Sequence, residues 1–326
     1  MPCVLLAVKM NYVNRLWGVE MSARTSSMVK CDRCRKQEAR VYRRLTQQKL
    51  CVRCYTDYLH RQVKRNIASL KIKEPRVPIA VPFHPMFPRE SILLADIVAE
   101  IEERYNNTLQ VLVMGESGRN VVRYYLESRD NIIVDSIDPA RVPNRMRTLL
   151  ENPSSLSGAG LITSWRFYRG VLASILSSRA GSVLVLPSCM DFLVLLELSS
   201  LLQGRLEGLG EAVESFEHPT AKLTFVNGFY GVPCIETTLV SRLLVGPMDF
   251  EYTKPFDPRS VVDRYALYVL EDAARERSYE IIFSTHRLLG YMRGGELGRC
   301  RFCGGLASND TCYWCLKVLG REEKEG

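Results

Sequence analysis

Eight of the eleven cysteines fall into two quartets with the spacing of metal ligands. Cys31, Cys34, Cys51 and Cys54 form CxxC, sixteen residues, CxxC; Cys300, Cys303, Cys312 and Cys315 form CxxC, eight residues, CxxC. A CxxC pair on a tight turn aims two thiolates at one ion, and the intervening loop brings the second pair round to complete a tetrahedron. The chemistry expected is two Zn²⁺ ions, each holding a small lobe together. Cys3, Cys189 and Cys234 are scattered. They are expected to be free thiols, the latter two in a core. This usage fits a reducing compartment better than a disulfide framework.

The second chemical signal is charge. Between Lys30 and Arg76 the chain carries fifteen Lys/Arg against four Asp/Glu, although the whole chain is only +8. The cations therefore belong to the first quartet and the segment after it, and the rest is slightly acidic. Such a local excess is the footprint of a polyanion, nucleic acid above all. Arg40, Arg43 and Arg44 lie inside the first quartet's loop. Arg61, Lys64 and Arg65 follow in YTDYLHRQVKRNIASL. There Tyr55, Tyr58, Leu59, Val63, Ile67 and Leu70 recur at three- and four-residue spacing, which predicts a helix with one apolar stripe and cations off it. His60, beside them, is expected to meet solvent or phosphate.

The elements that must position these groups follow in order. With 46% hydrophobic and 25% charged residues over 326 positions, the chain can bury a sizeable core. Residues 28–73 are expected to form a zinc ribbon plus basic helix. Residues 74–90, with five prolines, are expected to form a linker. A helix is expected over 89–105, a strand over 109–114, and a Gly115–Gly118 turn leading into a helix from Val121. Strand–turn–helix of this kind aims backbone N–H groups at a phosphate, so Gly115, Ser117 and Gly118 are candidates for a nucleotide loop. Further strands are expected at 131–137, 182–186, 222–226 and 239–245, and helices at 165–179, 191–202 and 260–277. The alternation predicts an α/β fold with a parallel sheet covered on both faces over 91–290. A second ribbon (298–318) and a charged tail (319–326) follow. Met28 is expected to be the working start, with residues 1–27 a non-structural extension. No run approaches the ~20 apolar residues of a membrane span.

This layout resembles the TtuA-type and cytoplasmic tRNA 2-thiouridine synthetases over roughly residues 28–318. The resemblance rests on CDRC, CVRC, the YLHRQVKR segment and the order of the two ribbons. It implies a doubly wound PP-loop/HUP-like α/β domain flanked by N- and C-terminal zinc ribbons, a cytoplasmic location, and ATP-dependent sulfur transfer to tRNA. The family's catalytic motifs are altered here. GESGRN (Gly115 to Asn120) stands where the resemblance implies SGGxDS, with Glu116 set to repel an anion. Leu161 and Ser164 stand for the sulfur-handling cysteines, and Trp165 and Tyr168 for the glycine and first arginine beside them. PSCMDF stands for GHNxDD, keeping only Asp191. The departures argue against bound ATP and against an iron–sulfur cluster, and no catalytic residue is assigned.

The function expected is a non-catalytic tRNA-binding homologue, a homodimer or a heterodimer with a catalytic thiolase paralogue, with no membrane partner. Two alternatives stand beside it: an active ATP-dependent tRNA sulfurtransferase with altered loops, and a zinc-ribbon regulatory protein on nucleic acid.

Overall fold

A computed structural model describes residues 29–70, 77–84, 86–137, 160–177, 181–246, 248, 261–275, 280, 284, 286–288 and 297–320. The expected extension 1–27 with Met28, the 139–151 stretch and the tail beyond residue 320 lie outside the described residues.

The first ribbon is a hairpin of β1 (Val41–Arg43) and β2 (Gln48–Leu50), with Val41 facing Leu50 across the ladder. Helix α1 (Val52–Ala68) starts on the second ligand pair: Cys51 is its N-cap, and the Cys51 sulfur accepts the Cys54 N–H at 3.4 Å. The expected apolar stripe is present, since Tyr55, Leu59, Val63 and Ile67 are buried. It packs on the α/β domain rather than on the ribbon alone. Asn66 donates to Gly228 O at 3.0 Å, and Gln62 to Tyr230 O at 3.0 Å.

The domain is built from β3 (Ile79–Pro82), α2 (Pro88–Glu103), β4 (Leu109–Met114), α3 (Gly115–Leu126), β5 (Ile132–Ile137), α4 (Leu161–Leu176), β6 (Val183–Cys189), α5 (Met190–Leu202), β7 (Ser215–Glu217), β8 (Thr224–Phe229), α6 (Cys234–Val245) and α7 (Val261–Arg275). Its six described strands run in the order β5-β4-β3-β6-β8-β7. All pairs are parallel except the edge pair β7–β8. The fold is therefore doubly wound α/β, flanked by a four-cysteine ribbon on each side in sequence. The second ribbon has β9 (Gly298–Arg299), β10 (Leu306–Ala307) and α8 (Tyr313–Leu319).

Three expectations are corrected. The Pro-rich stretch 74–90 is not only a linker: Ile79–Pro82 is one of the two central strands, paired with β4 on one side and β6 on the other. Prolines are tolerated there because Pro82 closes the strand and Pro88 opens a helix, where its missing N–H costs nothing. Residues 239–245 are helix, not strand. The short, mostly apolar run suggested extension, but Glu236, Thr237, Val240 and Ser241 are the buried set, at helical spacing. Gly115 to Gly118 form no turn, because α3 begins at Gly115 directly after β4.

Candidate metal centres and the strand-end crevice

In each ribbon the four sulfurs lie within 4.8 Å of one another. The Cys34 and Cys51 sulfurs are 3.9 Å apart, and those of Cys303 and Cys312 3.8 Å. Four thiolates around one ion at about 2.3 Å must stand roughly 3.8 Å apart, so both sets fit a four-coordinate ion. The local folding that builds them is the same. Arg35 N–H bonds Cys31 O at 2.8 Å, and Gly304 N–H bonds Cys300 O at 2.9 Å, closing a knuckle over each first pair. The residue after each first pair takes a positive φ, 56° at Arg35 and 71° at Gly304. At position 304 only glycine fits, because an added Cβ would stand 2.9 Å from the Phe216 ring and 3.0 Å from His218.

Each ribbon is anchored by buried charge. In the first, Glu236 accepts the Tyr55 hydroxyl at 2.6 Å and the Arg44 N–H at 2.9 Å. In the second, Arg166 and Arg169 both bind Glu211, at 2.7 Å each, in a fully buried site. Arg166 reaches on to Leu306 O at 2.9 Å and lies over the Trp314 ring at 4.4 Å. The arginine pair on α4 thus holds the C-terminal ribbon to the sheet domain.

The six predicted cations divide. Arg40, Arg61, Lys64 and Arg65 are exposed. Arg43 is half-buried, its guanidinium 3.8 Å over the Tyr58 ring, and Arg44 sits at the Glu236 junction. Arg61 and Lys64 line a groove of about 630 Å³ between α1 and α2, together with Arg53, Arg104, Asp57 and Glu100. His60 lies there too, but it is paired with Glu100 at 3.2 Å rather than solvated.

A doubly wound sheet binds ligands outside the carboxyl ends of its strands, where the strand order reverses. In this sheet that point lies between β3 and β6. The described residues there are Phe83, His84, Met86 and Phe87, not Gly115 to Gly118, which follow the next strand out. Sequence reasoning missed it because the prolines masked a short apolar strand. The signal was Ile79-Ala80-Val81 running into the periodic helix after Pro88.

Aromatic rings line this crevice. His84 stacks edge-on against Tyr168 at 4.1 Å and lies 5.1 Å from Trp165; Phe192 lies 4.9 Å from both Trp165 and Phe87. Burial pushes the His84 imidazole down to about 3, so it is neutral. His84 Nδ1 accepts the Met86 N–H at 3.1 Å, while its Nε2 and Trp165 Nε1 are buried without partners. Leu161 and Ser164 open α4, and Asp191 opens α5. Burial pushes the Asp191 carboxyl up to about 7.

The fold is similar to that of a tRNA thiolase. The U34-tRNA thiolase NcsA from Methanococcus maripaludis, described with its [4Fe-4S] cluster, superposes with a TM-score of 0.61 at 16% identity, covering 92% of this chain and 99% of that one. No protein-family model and no curated protein matches the sequence. At this identity the likeness is one of fold. It nonetheless overturns the expectation against an iron–sulfur cluster. The structural neighbour carries one, and both quartets here are all-cysteine, a donor set that iron–sulfur clusters also use. The free-thiol expectation for Cys189 and Cys234 is corrected as well, because the two form a disulfide. Among the described residues no helix is long and apolar enough to cross a membrane.

Proposed function

We propose that this chain is a tRNA-binding protein of the tRNA-thiolation type that works as a non-catalytic partner of a catalytic thiolase homologue. The observation that carries this is the ring cluster of His84, Trp165, Tyr168 and Phe192 between β3 and β6. A doubly wound sheet that uses a nucleotide needs space and donors at that point, and here bulky rings line it. Likeness to the thiolase fold supports the tRNA part, as do the exposed Arg40, Arg61, Lys64 and Arg65 along one ribbon and helix. Zinc in both four-cysteine sites is the reading the sulfur spacing supports, with Cys31, Cys34, Cys51 and Cys54 holding one ion and Cys300, Cys303, Cys312 and Cys315 the other. Their role is to fold the ribbons, since structural sites of this kind contribute folding free energy directly.

The test is a paired titration of the metal-loaded protein with tRNA and with ATP, alongside elemental analysis for zinc and iron. Expected are tRNA binding that weakens as salt rises, a shallower salt slope by about one for each of Arg61 and Lys64 replaced by Gln, and no ATP saturation. Pyrophosphate release from ATP by the chain alone would overturn the non-catalytic reading. Salt-insensitive binding, or none, would overturn the tRNA reading.

A further inference from the structure

One covalent link serves neither the metal centres nor the crevice packing. Cys189 ends β6 and Cys234 opens α6, and the two form a disulfide with Cα atoms 5.1 Å apart. Cys189 is buried and Cys234 partly exposed, so an incoming thiol reaches the bond from the Cys234 side. Its surroundings are those of an exchangeable bond. Cys234 sits at the N-terminus of a twelve-residue helix, where the helix dipole favours a thiolate. Asp191 is buried beside it: Oδ2 accepts the Cys234 N–H at 3.2 Å, and Oδ1 has no hydrogen-bond partner. The charged groups that act on Asp191 are Glu236 from α6 and Arg44 from the ribbon. Glu236 in turn lies two residues past Cys234 and accepts from Tyr55 and Arg44 of the first ribbon.

We propose that Cys189 and Cys234 form a reversible thiol–disulfide site whose co-reactants are small thiols and their disulfides, and that its state, relayed by Glu236, controls how firmly the first ribbon is seated. In the reducing direction a small thiolate attacks Cys234 Sγ. The Cys189–Cys234 bond breaks, and Cys189 leaves as a thiolate and takes a proton. A second small thiolate attacks the sulfur of the bound small molecule, releasing the oxidised small disulfide and Cys234 thiolate, which is protonated. Two electrons pass from two small thiols to the protein disulfide, and the small disulfide reverses the process. Asp191 is the buried carboxyl placed to exchange the proton. Its raised position, near neutral, suits that task. Opening the bond frees the first turn of α6 from the end of β6 and loosens the Glu236 junction.

The test uses the full-length, metal-loaded protein in glutathione buffers of graded reduced-to-oxidised ratio. Differential alkylation and peptide mass spectrometry then report Cys189 and Cys234 separately from the eight ribbon cysteines. Expected is one concerted transition of both residues, with Asp191→Asn slowing the approach to equilibrium about tenfold near neutral pH. Hydrogen exchange is expected to quicken in the first turn of α6 and in Val41–Arg43 on reduction, and Cys234→Ser should give the quick pattern in every buffer. A pair that stays reduced in oxidised glutathione alone, or stays bonded in a thousandfold excess of reduced glutathione, overturns the site. Unchanged exchange at the ribbon overturns the coupling. None of these readouts involves RNA or ATP, so they stand or fall apart from the proposed function.

Discussion

The Tyr55 hydroxyl donates to Glu236 across 181 residues of sequence, at 2.6 Å and buried, and so fastens the first ribbon to the sheet domain. Tyr55 directly follows a metal ligand, and Glu236 lies in the first turn of α6. Ribbon and domain therefore share one core, and a single continuous cluster of buried side chains runs from Cys31 to Cys315.

Tyr55→Phe removes the donor and leaves a buried carboxylate oxygen short of a partner. The expected loss is about 1–3 kcal/mol in urea unfolding. Tyr55→Phe with Glu236→Gln should cost less than the two single changes added together, because the residues are in contact. Strict additivity in that double-mutant cycle would show that the contact is not formed.

Glu211 holds both Arg166 and Arg169 away from solvent. Glu211→Gln strands two guanidiniums, and the expected loss is about 3–5 kcal/mol. The damage should appear first in the C-terminal ribbon, where Trp314 packs under Arg166. Hydrogen exchange over 297–319 is therefore expected to rise before that of β3 to β6, and a uniform rise would contradict the anchoring role.

His84 gives a pH signature. Its imidazole takes a proton near 6.5 in the unfolded chain but only near 3 when folded. Between those values the unfolded state binds more protons, so stability falls as pH drops through that window. Over the full window the loss is on the order of 5 kcal/mol. His84→Asn keeps an acceptor for the Met86 N–H and should flatten the decline between pH 7 and 4, whatever it costs at pH 8. An unchanged slope in urea midpoint against pH would rule out a neutral buried His84.

Metal removal should act locally. A strong chelator is expected to abolish exchange protection in residues 29–54 and 297–319 while α1 from Leu59 onward and the six-stranded sheet stay protected, because that part of α1 is held by the sheet. Cys34→Ser should reproduce only the first half of this. Full protection after chelation, checked by mass spectrometry, would mean the ribbons fold without metal.

The sequence by itself determined the two cysteine quartets, the amphipathic helix after the first and the parallel α/β class. Each depends on spacing between near neighbours, and near neighbours on a knuckle, helix or strand have little freedom in where they point. Only the tertiary structure decided which strands are central, because strand order depends on pairing across long separations. A four-residue strand flanked by prolines carries almost no local signal. The same limit hid the His84–Trp165–Phe192 cluster and the Cys189–Cys234 bond: their members come from different strand ends and helix starts, and only the winding of the sheet brings them together. It also divided the cations, leaving Arg61 and Lys64 on a groove and drawing Arg43 and Arg44 into the junction, since a side chain's neighbours decide whether its charge faces outward.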